Sequence, residues 1–228
     1  MGKFYVNYDI LILIGLLITI VSQILVSSSY NKYKKKLNNK DLTGFDAARK
    51  ILDKNGLSNI TILETRGNLS DHYDPSRKVV KLSTDIYHGS SIASIAVAAH
   101  ECGHAIQDKD KYKPMRIRSR LVKTVNICTK LGYFAIVIGA IFSYQLVEIG
   151  IILLATMLVF QLITLPVEFN ASSRALKELE KLKLIDTEEK KNVKSMLSAA
   201  AFTYVASFVT SLLQILRLVL IFGGRRDD

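Results

Sequence analysis

Cysteine is scarce in this 228-residue chain, which has only Cys102 and Cys128. Two such residues make no disulfide framework, and a reducing compartment fits their use. Acid is in short supply as well. Asp and Glu total 20 against 31 Lys and Arg, a formal charge of +11. That excess invites nucleic acid as a partner, but Lys32, Lys34, Lys35 and Lys36 have no recognised nucleic-acid-binding motif beside them. The head lacks the positive block of a secretory signal peptide, carrying only Lys3 before Asp9. The long apolar runs are poor in ionisable residues: beyond Lys130 at the start of one, only Glu148, near a loop, and Arg217 interrupt them. An ion or metal transporter wants more than these.

What the chain has in quantity is apolar sequence in blocks, separated by basic ones. The hydrophobic fraction is 49% beside 22% charged residues, with a mean hydropathy of +0.23. Ile10 to Val26 is almost wholly apolar, and a bilayer core of about 30 Å needs on the order of 20 such residues. Lys32 to Lys40 follow it, so residues 1–30 read as a first transmembrane helix running from outside to cytosol. Ile127 to Leu165 is too long for one span and divides at Ser143-Tyr144-Gln145 into a hairpin, residues 127–165, whose outer loop has no Lys or Arg. Ala199 to Phe222 can span once more, making residues 199–228 a last transmembrane helix and tail, with Arg217, Arg225 and Arg226 awkward at an outer end. The basic segments between spans then lie in the cytosol, where they orient helices and meet anionic lipid.

Residues 31–126 read as a folded cytosolic lobe. Phe45, Ala48, Ile51 and Leu52 have helical spacing, stopped by Asn55-Gly56. Ile60 to Glu64 and Lys78 to Leu82 read as short strands around a turn-rich connection containing Gly67-Asn68 and Asp71-His72-Tyr73-Asp74-Pro75. Val79 to Ser83 is a candidate sheet edge on which a peptide could add as a strand, and equally an ordinary packing strand.

The lobe's chemistry lies in Ala99-His100-Glu101-Cys102-Gly103-His104-Ala105. Ser90 and Ser91 offer an N-cap, and Ile92, Ile95, Ala96, Ala99, Gly103 and Ile106 recur at helical spacing. Four residues is just over one turn, so His100 and His104 project from one side and can take two corners of a tetrahedral zinc site. Glu101 stands beside them as a general base. About fifteen apolar residues make this a buried core helix and not a span. Cys102 reads as a packing residue, or as a thiol that would make the site sensitive to oxidation.

A catalytic zinc usually takes a third protein ligand and keeps one position open. His72, His88 or a carboxylate can supply it. Residues 166–198 begin at Pro166, acceptable in a helix's first turn, and topology brings Glu168 to the membrane face that carries His100 and His104. That favours Glu168 over His72, the plain alternative being a residue that caps the helix dipole. If Glu168 completes the site, the metal ties the lobe to the membrane domain.

Three stretches together resemble the membrane-bound neutral zinc metallopeptidases of bacteria, of the YugP type. They are Leu69-Ser70-Asp71-His72-Tyr73-Asp74-Pro75, Ala98-Ala99-His100-Glu101-Cys102-Gly103-His104-Ala105-Ile106-Gln107, and Leu165-Pro166-Val167-Glu168-Phe169-Asn170-Ala171-Ser172. The resemblance implies zinc held by His100, His104 and Glu168, with Glu101 as base. This chain departs from it in two places: Ser172 and Asn170 stand where relatives are expected to carry Asp.

The expected fold is a mainly α membrane protein of about four transmembrane helices with a small α+β, zincin-like cytosolic lobe. The expected chemistry is zinc-assisted hydrolysis of peptide bonds in an unfolded or membrane-associated polypeptide at the cell membrane. His72, Tyr73 or Arg174 could supply the oxyanion donor. The rival is a non-catalytic membrane scaffold or chaperone-like protein with a structural zinc, which would show four protein ligands.

Overall fold

The computed structural model describes residues 8–67 and 70–223. Lys3, Asn68, Leu69, Arg225 and Arg226, each used in the sequence reading, lie outside them. Seven long or short helices and one small sheet are described in order: α1 (Asp9–Lys34), α2 (Gly44–Lys54), β1 (Thr61–Thr65), β2 (His72–Asp74), β3 (Val79–Ser83), α3 (Thr84–His88), α4 (Ile92–Lys109), α5 (Lys113–Phe142), α6 (Tyr144–Lys181) and α7 (Thr187–Gly223). They divide into two compact units.

One unit comprises residues 1–23, 117–165 and 203–228. The helices that run through it, α1, α5, α6 and α7, are each long and apolar enough to cross a membrane. Their outward faces are apolar: Leu17, Phe134, Ile141 and Ile152 are all exposed. Such faces suit hydrocarbon and not water. Between α5 and α6 the backbones come close through glycine. A Cβ on Gly139 would lie 2.6 Å from the Val147 nitrogen, and one on Gly150 would lie 2.8 Å from the Gly132 carbonyl oxygen. Small residues at this seam allow the close approach typical of helix pairs in lipid. Arg217 is no longer awkward, because it forms an ion pair with Asp9, Nη2 to Oδ1 at 2.5 Å.

The other unit comprises residues 24–116 and 166–202. Its first helix, α2, starts with a capping box: Thr43 accepts from the Asp46 N–H, and Asp46 accepts from the Thr43 N–H. The apolar stripe Ala47, Ala48, Ile51 and Leu52 is buried, and the helix ends where Gly56 takes a φ of +68°. The three strands form a sheet in the order β1-β3-β2, with β1 parallel and β2 antiparallel to β3. Val79 to Ser83 is therefore the central strand and not an edge. The missing neighbour is β2, three residues hidden inside the turn-rich connection, where too few residues exist for alternation to show. The sheet edges are β1 and β2.

The core of this unit is one apolar cluster. Ile51 and Leu52 of α2 meet Val80 and Leu82 of β3, Ile92 and Ile95 of α4, and Leu179 of α6, all buried. Val167, Ala175 and Leu179 bring the second half of α6 into that cluster, so apolar packing holds it to the lobe as well as any metal would. Pro166 does not open a helix as expected from sequence. It sits inside α6, where its missing N–H leaves one turn of the ladder unformed, and the division between the two units falls at Leu165 and Pro166.

Candidate metal centre

Helix α4 is set by Ser91, the N-cap, whose side chain accepts from the Ser94 N–H at 3.1 Å. From that start the i, i+4 spacing stacks His100 and His104, with ring centroids 4.8 Å apart and planes at 87°. Gly103, between them in sequence, lies against α6. A Cβ there would come within 2.5 Å of the Ala171 carbonyl oxygen. The absence of a side chain at this point lets α6 lie close enough for Glu168, one turn before Ala171, to reach both rings. Its Oε2 stands 3.3 Å from the Nε2 of His100 and 3.5 Å from the Nε2 of His104.

The ligand atoms of His100, His104 and Glu168 all lie within 4.8 Å of one another. Two neutral imidazoles and one carboxylate, converging at this spacing, are a donor set that fits a zinc ion with one position left open. The exposures also fit. Glu168 and His104 are buried, whereas the His100 side chain keeps 15% of its surface and leaves a way in. Burial pulls the His104 imidazole toward its neutral form. The Glu168 hydrogen bond, the charges of Glu101 and Glu168 and the Gln107 hydrogen bond outweigh that, so its pKa in the metal-free protein is raised. Glu101 itself is 7% exposed, the next residue round the helix from His100.

Each ring is held from behind. The Nδ1 of His100 is 3.2 Å from the Ser172 hydroxyl, and the Nδ1 of His104 is 3.0 Å from the Oε1 of Gln107. Ser172 thus occupies the position where the resemblance leads one to expect Asp, and it still reaches a histidine. Asn170 does not touch a ring: its Oδ1 accepts from Gln107 at 3.0 Å and from the Nε of Arg174 at 2.8 Å. Sequence reading passed over Gln107 as a working residue. Its signal was the i+3 spacing from His104 and i+7 from His100, which puts it on their face of α4.

The other candidates are placed elsewhere. His72 is exposed on β2 and its Nδ1 bonds to the Ser70 carbonyl at 2.8 Å; His88 pairs with Glu64 at 3.3 Å. The buried Tyr73 donates its hydroxyl to Asp108 at 2.7 Å, and burial with that bond raises its pKa. Arg174 bonds to Asn170 and, through Nη1, to Asp110 at 2.5 Å. Cys102 faces α2, its thiol 3.6 Å from the Ala48 carbonyl, and complete burial raises its pKa. That is a packing thiol, kept in the unreactive protonated form.

Comparison with known proteins adds an independent line. A family model described as "Putative neutral zinc metallopeptidase" matches residues 8–223. A protein of Bacillus subtilis (strain 168), named "Putative membrane protease YugP", is 43% identical over 208 residues, covering 91% of this chain and 92% of that protein. No solved structure matches.

Proposed function

The chain belongs to the neutral zinc metallopeptidase family, and from that membership we propose that it is a membrane-embedded peptidase whose zinc is held by His100, His104 and Glu168. The observation that carries this reading is the convergence of those three ligand atoms within 4.8 Å, with Glu101 next in sequence to His100. When bound, the ion supplies Lewis-acid activation of water and of the scissile carbonyl. The remaining work falls to the chain. Glu101 takes the proton of the attacking water and passes it to the leaving amine, the role its place between the two histidines suits. The buried carboxylate of Glu168 offsets positive charge at the centre, and Ser172 and Gln107 keep the rings turned to it.

The substrate is a polypeptide, unfolded or membrane-associated, and the site lies on the cytosolic side. An extended peptide would pair at an edge of the sheet, β1 or β2, since β3 has both neighbours filled. Three ligands in the group support an open, catalytic site over a structural one, which closes with four.

Glu101→Gln is the direct test. The variant is expected to bind zinc as the wild type does while its hydrolysis of an unfolded protein substrate falls by roughly 100-fold or more, the scale of a lost general base. Undiminished cleavage by metal-loaded Glu101→Gln removes Glu101 from the mechanism.

A further inference from the structure

Gln107 is completely buried, which is costly for a primary amide unless both ends are bonded. Both ends are. Its nitrogen lies 2.7 Å from the Val167 carbonyl oxygen and 3.0 Å from the Oδ1 of Asn170. A backbone carbonyl can only accept, so the atom facing Val167 is the NH2 and the amide has one orientation. The Asn170 orientation is fixed in the same way. Its Oδ1 also faces the Nε of Arg174, a group that only donates, and Arg174 is anchored in turn on Asp110, the C-cap of α4.

With its nitrogen committed, Gln107 turns its Oε1 to the Nδ1 of His104 at 3.0 Å. That oxygen can only accept, so the Nδ1 must carry the proton. We infer that Gln107 is the positioning residue of His104, holding a proton on Nδ1 and so keeping Nε2 for a metal beside Glu168, with Asn170 and Arg174 fixing Gln107. The same amide grips the backbone at Val167, the residue before Glu168. One side chain therefore sets two of the three proposed ligands relative to each other. His100 has no equivalent lock, because the Ser172 hydroxyl at its Nδ1 can donate or accept.

The inference rests on the zinc site proposed above, and its test is separate from the test of hydrolysis. Zinc affinity of the purified full-length protein is measured by competition with a chelator in wild type, Gln107→Met, Asn170→Asp and Asn170→Leu. Gln107→Met keeps the volume and loses every hydrogen bond; zinc binding is expected to weaken about 10- to 100-fold, the usual scale for such outer partners. Asn170→Asp still accepts from Gln107 and Arg174 and is expected to match wild type, whereas Asn170→Leu weakens binding. Nitrogen chemical shifts of the His104 ring in zinc-loaded protein should show the Nδ1-protonated tautomer in wild type and a mixture in Gln107→Met. Wild-type affinity in Gln107→Met, or an unchanged tautomer, overturns the inference and leaves the peptidase reading standing. If Gln107→Met does not fold, the Asn170 pair decides, and equal affinity in Asp and Leu variants overturns it. Failure of wild type to bind zinc removes both.

Discussion

A carboxylate buried to 2% exposure is the most costly side chain in the site, and Glu168 is tolerated there because two imidazole nitrogens face it. Without metal, His104 compensates it by taking up a proton more readily than a free imidazole does, as its raised pKa shows. A zinc ion would replace that proton. Glu168→Ala is therefore expected to lower zinc affinity by more than the roughly 100-fold attached to an outer partner. His72→Ala, which alters an exposed residue bonded to the Ser70 carbonyl, is expected to leave zinc content intact. Zinc analysis of both variants at matched expression checks this, and the reverse pattern sinks the ligand assignment. At this scale the sequence was informative where chemistry is local. His100, Glu101 and His104 sit within five residues, and helical geometry alone brings the two rings together. For Gln107 only the face was legible, because its role depends on Val167 and Asn170, 60 and 63 residues further along the chain.

The element that sets the site's dimensions is the crossing of α4 and α6, and the residue that permits it is Gly103. A Cβ there meets a backbone oxygen, Ala171 O at 2.5 Å, which cannot swing aside as a side chain might. Gly103→Ala is expected to push α6 off α4, costing about 1–3 kcal/mol by overpacking and carrying Glu168 away from both histidines. Thermal unfolding and zinc competition measure the two effects. A variant that loses stability but keeps full zinc affinity would show that the ligands do not depend on this contact. The apolar periodicity of α4 could be read from sequence, yet the reason for a glycine in it could not, since it lies in the partner helix. The strands failed for a different reason. With β2 only three residues long, period-two alternation has no room to appear, and β3 looked like an edge until its second neighbour was in place. Pro166 misled as well: its preference for first turns is real, yet here it lies inside α6, followed by the buried Val167, Ala171 and Ala175.

At the scale of the whole molecule, length decides what the helices can do. α6 has 38 residues and α7 has 37, each roughly 55 Å at 1.5 Å per residue, well beyond a hydrocarbon core of about 30 Å. The surplus of α6 is the part that carries Glu168, only three residues beyond Leu165, where the apolar block ends. Along the chain the proposed ligand thus follows directly on the segment proposed to span the membrane, which is the reason for proposing a polypeptide that emerges from or lies on the bilayer as substrate. Which face that is follows from charge. The loop between α5 and α6 has no Lys or Arg, whereas Lys32, Lys34, Lys35, Lys36 and Lys40 lie between α1 and α2 or at the end of α1. On the positive-inside rule, the proposed orientation has the loop outside and Lys54 in the cytosol. Both Lys54 and Gln145 are exposed, so a single cysteine at either can be reached by reagent. With Cys102 and Cys128 replaced, an impermeant maleimide added to intact cells is expected to label Gln145→Cys, and to label Lys54→Cys only after the membrane is opened. Labelling of Lys54→Cys in intact cells, with Gln145→Cys protected, would invert every helix and put the proposed hydrolysis outside.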